Sequence, residues 1–217
     1  MSIHLQRDLD NLRKDILRLG SLVRESTLKS IELFNTQALS LAEEVNTLEL
    51  HINELEVEIE ENCLKILALH QPVAIDLRFI VVVMKVNNDL ERMGDQAVNI
   101  AKRVTSLMKE ESHTFELPLD AMTDTVQDMV ALSLEALVNQ DPDLARRVVQ
   151  IDDLLDDLNA RNYQALRAGV EETPALVSQA MSLATISSNL ERIGDLCTNI
   201  AEEVIFMVEG KVIRHML

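Results

Sequence analysis

The sequence predicts an all-α protein built as two tandem three-helix up-and-down bundles, with six long helices. Three observations lead there. Aromatic residues make up 2% of the 217 positions, so the core must be drawn from the aliphatic side chains that dominate the 47% hydrophobic fraction. Only five Gly and four Pro interrupt the chain, and between them the apolar residues keep a 3.6-residue period. Residues 88–101, NDLERMGDQAVNIA, return one hundred positions later as SNLERIGDLCTNIA, with eight of fourteen positions identical. Shared helical periodicity can align apolar positions, but it does not place Glu, Arg, Gly, Asp and Asn in register. That is the mark of an internal repeat.

Element by element, the first helix is expected from about Leu5 to Leu41, yielding near Gly20 or fraying near Asn35. The second runs from about Glu43 to His70, where Pro72 follows, and the third from about Val73 to Lys109. The fourth is expected over Pro118–Asn139. The fifth begins at Pro142, a tolerated first helical position, with Asp141 as its cap, and ends near Gly169. The sixth starts near Thr173 with Pro174 again at the first position, runs to about Glu209 and stops at Gly210. Short connections make neighbours antiparallel. The domains are therefore 1–109 and 118–217, one repeat each, with 110–117 as the linker. The second and fifth helices also correspond, TLELHINELE beside QIDDLLDDLN at an offset of 103 positions.

Composition excludes several function classes. A formal net charge of −17 with no basic block disfavours nucleic acid and anionic lipid alike. Cations, or a protein with a basic face, match it better. Cys63 and Cys197 form neither a disulfide framework nor a paired-thiolate metal motif, and their helical context makes them buried thiols. No stretch of 18 uninterrupted apolar residues is present, and the N-terminus lacks an apolar signal core, so a cytoplasmic location is expected.

The repeated stretch carries chemistry beyond a core helix. On a helical wheel Leu90, Met93, Gly94, Ala97, Ile100, Ala101 and Val104 share the buried face. Glu91, Asp95 and Asn99 form an adjacent stripe about 6 Å apart along the axis, and Glu191, Asp195 and Asn199 repeat it. Glu49, Asn53, Glu56 and Glu60 flank the apolar face of the second helix, and Asp152 and Asp156 that of the fifth. If these stripes face one another, Glu49, Asn53, Glu91 and Asp95 converge in one half, and Asp152, Asp156, Glu191 and Asp195 in the other. Carboxylates so gathered resist ionising together unless protons, arginines or metal cations neutralise them. Oxygen ligands suit hard or borderline cations such as Mg, Mn or Fe.

The plainer reading is that acids four apart lie on solvated surfaces, with Arg92 and Arg192 pairing locally to Asp95 and Asp195. None of the five histidines is placed as in a Glu-x-x-His dinuclear site. Duplication in two registers favours metal. Gly94 and Gly194, costly in mid-helix, point to close approach by a neighbouring helix more than to access for an ion. No catalytic triad, phosphate loop or paired-thiol motif is present, so an enzyme is not expected. The alternatives are a metal-dependent hydrolase of a phosphorylated compound and a purely structural helical scaffold.

LERMGDQAVNIA and LERIGDLCTNIA, together with QPVAIDLR at 71–78, resemble the PhoU family, the accessory and regulatory proteins of bacterial phosphate-specific transport, and the resemblance covers essentially the whole chain. It implies two three-helix bundles and acidic metal motifs at Glu91 and Asp95, Glu191 and Asp195, Asp152 and Asp156, and Glu49 with Asn53 at the last position. That Asn would leave the first site one carboxylate poorer. The implied cofactors are divalent or trivalent metal ions, in single or multinuclear sites, of Fe, Zn, Mn or Mg. The implied role is regulation of phosphate uptake and negative regulation of the phosphate-starvation response. The implied partners are the ATPase subunit of a phosphate ABC transporter, a phosphate-sensor histidine kinase and a second copy in a homodimer, with the membrane reached only through proteins. QPVAIDLR has no counterpart in the second repeat, so any surface role of Asp76 and Arg78 belongs to the first half.

Overall fold

A computed structural model describes residues 3–109, 115 and 117–211. It contains six α-helices: α1 Ile3–Thr36, α2 Ser40–His70, α3 Ala74–Leu107, α4 Leu119–Asn139, α5 Pro142–Glu172 and α6 Val177–Glu209. No strand occurs among the described residues. Helices α1–α3 form one up-and-down bundle and α4–α6 the other. The two lie side by side, α3 against α6 and α1 against α4. No helix among the described residues is long and apolar enough to cross a membrane. Most of the expected linker, 110–114 and 116, together with His113 and His215, lies outside the described residues.

Each helix buries a stripe set by its own periodicity. In α1, Leu5, Leu9, Leu12, Ile16, Leu19 and Val23 alternate steps of four and three and are all buried. The apolar face read from α3 is buried in full, from Leu90 to Val104. One aliphatic core runs through both bundles, and Cys63 and Cys197 sit fully inside it, where burial pushes each thiol up to about 12.

Helix ends depart from expectation where their chemistry is less familiar. Helix α1 stops at Thr36, five residues before Leu41, and passes unbroken through Gly20. Gln37 there takes the left-handed conformation (φ 57°) and its N–H bonds the Leu33 carbonyl at 2.9 Å. Gln71 and Gln140 end α2 and α4 in the same way. Asp141 caps α5 as the sequence predicts, accepting from the N–H groups of Asp143 (2.9 Å) and Leu144 (3.1 Å). Helix α5 continues through Gly169 to Glu172. Pro174 then opens a single 3-10 turn, Pro174–Leu176, before α6 starts at Val177. Gly210 ends α6 at φ 71°.

The seam between the bundles carries a partly buried ion pair. Lys85 on α3 donates to both Glu203 carboxylate oxygens on α6, at 2.8 and 3.1 Å, and its ammonium lies 5.6 Å from the Phe206 ring centroid.

Candidate functional site

Glycine sets the spacing of the site. A Cβ on Gly94 would stand 3.0 Å from Glu49 Oε2 and 3.2 Å from Ile52, and one on Gly194 would stand 2.2 Å from Leu155 Cδ2. Ile52 and Leu155 occupy the same register of the repeat, so in both halves the inner helix closes onto its neighbour at a glycine, more tightly at Gly194 than at Gly94. That closeness turns the acid stripe of α3 toward α2, and that of α6 toward α5.

In the second half, Asp156, Glu191 and Asp195 offer carboxylate oxygens that all lie within 4.8 Å of one another. Asp152 stands beside them with Oδ1 buried and without a hydrogen-bond partner among the described residues. Burial first, then the charges of Asp195 and Asp156, push its carboxyl up to about 6, while the nearby Thr198 hydroxyl works the other way. Glu191 and Asp195 are raised for the same reasons, burial first and then neighbouring carboxylates, with Arg192 opposing. A hollow of about 480 Å³ lined by Gln150, Asp152, Asp153, Thr198 and Glu202, among others, adjoins the group.

The first half shares the electrostatics but not the tight convergence, since among the described residues no three of its acids bring their oxygens within 4.8 Å of one another. Glu49 is raised by burial and by the charges of Asp95 and Glu91, with the Asn53 side chain opposing. Its Oε2 is buried without a hydrogen-bond partner among the described residues, as is Asp152 Oδ1 at the equivalent register. Glu91 is raised by burial and by Asp95 and Glu56, with Arg92 opposing. Arg92 does not take the expected partner, and its guanidinium lies 3.7 Å from Asp89 instead, one turn back along α3.

On the sequence alone Glu56 belongs to the α2 stripe but not to the converging set. In the structure it faces Glu91, and Asn87 on α3 donates to its backbone carbonyl (2.9 Å) and its Oε1 (3.2 Å). The equivalent pair in the second half is Asn159 and Ser187, joined by a 2.7 Å bond from the Ser187 hydroxyl to the Asn159 side-chain oxygen Oδ1. The halves have thus exchanged an acid and an amide: Asn53 and Glu56 in one, Asp156 and Asn159 in the other. The first group is not poorer in carboxylates once Glu56 is included. The signal was present in the sequence, because Glu56 lies two turns beyond Glu49 on one stripe.

Paired orphan oxygens, and carboxylates raised by burial and then by one another, are what a cation would relieve, and the converging Asp156, Glu191 and Asp195 fit a hard or borderline metal ion. His51 lies elsewhere, on the exposed side of α2 with Glu54 at 3.7 Å.

The sequence profile of the PhoU domain matches twice, over residues 16–104 and 119–204. The chain is 36% identical over 211 residues to the phosphate-specific transport system accessory protein PhoU homolog of Aquifex aeolicus, covering 97% of this chain and 96% of that one. It is 34% identical to homolog 1 of Thermotoga maritima over 99% of this chain and 93% of that one. The crystal structure of PhoU from Pseudomonas aeruginosa superposes with a TM-score of 0.91 at 34% identity, over 95% of this chain and 99% of that one. The phosphate transport system regulatory protein PhoU of Streptococcus pneumoniae superposes with a TM-score of 0.84 at 28% identity, over 96% and 98%.

Proposed function

The chain belongs to the PhoU family, and from that premise we propose that it restrains phosphate uptake and holds the phosphate-starvation response off when phosphate is plentiful. In this reading it links the ATPase subunit of a phosphate ABC transporter to a phosphate-sensor histidine kinase, works as a homodimer and reaches the membrane through these proteins. The family is regulatory rather than catalytic. The observation that carries the reading is similarity along the whole chain to proteins named for phosphate-specific transport. Deleting the gene should switch on phosphate-starvation genes in phosphate-rich medium, and unchanged expression there would count against the role.

Metal binding is the second half of the proposal. Glu49, Asn53, Glu56, Glu91 and Asp95 would hold a cation in one repeat, and Asp152, Asp156, Glu191 and Asp195 in the other, with 110–117 linking repeats 1–109 and 118–217. The bound ion supplies positive charge that cancels the repulsion and ties α2 to α3 and α5 to α6. The chain's own part is to present oxygens from two helices at a spacing held by Gly94 and Gly194. The paired orphan oxygens of Glu49 and Asp152 support this. Protein purified without chelator should carry Fe, Zn, Mn or Mg by elemental analysis and lose it on Asp95→Ala with Asp195→Ala. Metal content near zero in the unsubstituted protein would end the metal reading while leaving the regulatory one.

A further inference from the structure

Helix α2 has two apolar lines, and only one is used. Its core line, from Val45 to Ile66, is buried. On the opposite side Leu50, Val57 and Leu64 stand 64%, 53% and 53% exposed, each seven residues from the next. Seven residues is about 10.5 Å of helix, and side chains at that spacing keep to one line with a drift of about 20° per step. A second helix lying alongside would meet one of them every two turns.

The repeat supplies an internal control. The same register of α5 holds Asp153, Ala160 and Arg167, so the fold does not require an outward aliphatic line on this helix. Single exposed apolar residues are ordinary, as Leu154 and Tyr163 on α5 show, but a line of three large ones in one register is found in the first half, where the second keeps only Ala160. Charge narrows the occupant. Helix α2 carries eight glutamates and one lysine, whereas α5 carries seven acids and four arginines. Glu54 and Glu61 border the line on one side with side chains 79% and 65% exposed, and Asn53 and Glu60 border it on the other. A second copy would set this acidic helix against its own image, and an anionic lipid surface would be repelled by it.

We propose that the outward face of α2 is a docking seam for a basic amphipathic helix of a partner protein. The partner lays its apolar stripe over Leu50, Val57 and Leu64 and sets lysines or arginines against Glu54, Glu60 and Glu61. Helix-in-groove recognition of this kind takes its affinity from the apolar line and its choice of partner from the flanking charge. The inference deepens the functional reading above and rests on the chain acting through a protein partner.

The probe is a synthetic lysine-rich amphipathic helix of about three heptads, titrated against the full chain beside a scrambled peptide of the same composition. Unsubstituted protein should bind the helix about tenfold or more tighter than the scramble, a margin of about 1.4 kcal/mol or more. Leu50→Ser/Val57→Ser/Leu64→Ser should erase that margin while the helical fold is retained and the melting temperature falls by only a few degrees, because each side chain is more than half exposed. Equal binding of helix and scramble, or a margin retained by the triple variant, overturns the seam. So does loss of self-association in that variant by sedimentation, since a second copy would then be the occupant. In a deletion strain whose starvation reporter is switched on, the triple variant made at normal level should fail to restore repression. Full restoration would remove the seam and leave the regulatory role standing. A reporter unmoved by the deletion removes the regulatory role and leaves the titration to decide the seam.

Discussion

Asp152 shows how one side chain encodes a condition for the site. Its ordinary value is 3.8 and burial beside Asp195 and Asp156 lifts it to about 6. Between about pH 4 and 6 the folded protein therefore holds a proton that the unfolded chain has released. The stability this carboxyl contributes is full below 3.8 and is lost as pH rises through about 6. In chelator-treated protein the melting temperature of the wild type should fall relative to Asp152→Asn across that window, as thermal melts at stepped pH would record. Cation affinity should climb over the same window, because the metal competes with the proton. Gly194 makes a second residue-scale case. Leu155 is fully buried, so it cannot swing clear of a side chain placed 2.2 Å away. Gly194→Val should cost about 2 kcal/mol or more by denaturant melts, of which Leu155→Ala in the same chain should recover part.

At the scale of the helix, the exchange of acid and amide between α2 and α5 is testable. Glu56→Gln should weaken cation binding in the first half about tenfold, and Asn53→Asp in that background should restore it, as titration with the second half disabled by Asp195→Ala would show. If Glu56→Gln changes nothing, Glu56 is only the acceptor for Asn87. The helices themselves were legible because their apolar period is long and uninterrupted: α3 and α6 follow the stripe read from Leu90 and Leu190. Their ends were less so. Gln37, Gln71 and Gln140 occupy left-handed positions normally read from Gly or Asn, so the stop of α1 at Thr36 carried no familiar signal. Where α5 passes Gly169 it has a tertiary neighbour, since the Phe115 ring lies 2.5 Å from where a Cβ of that glycine would be.

At the scale of the molecule, the two repeats share one core and a charged seam. Their cores are continuous, and Lys85 bridges to a Glu203 that is nearly inaccessible. Thermal unfolding should be a single calorimetric transition in the metal-free protein rather than one per repeat. Lys85→Met should lower stability by about 2 kcal/mol, since Glu203 would lose two charge-assisted bonds. Two transitions in the unsubstituted protein would mean that the bundles unfold independently. The repeat could not announce this contact, because the equivalent positions are Thr185 and Arg103 and carry no such pair.

By itself the sequence determined the helical class, the duplication and the two acid stripes of each half. All three are periodic and local, and a regular helix converts sequence spacing directly into position on a face. Tertiary packing decided what spacing cannot express. It set which stripes meet, through the approach of Ile52 to Gly94 and Leu155 to Gly194. It brought Glu56 to Glu91, turned Arg92 back to Asp89, and left Leu50, Val57 and Leu64 uncovered. Each of these depends on the distance between helices far apart in the chain, and a helix's own period says nothing about its neighbour's.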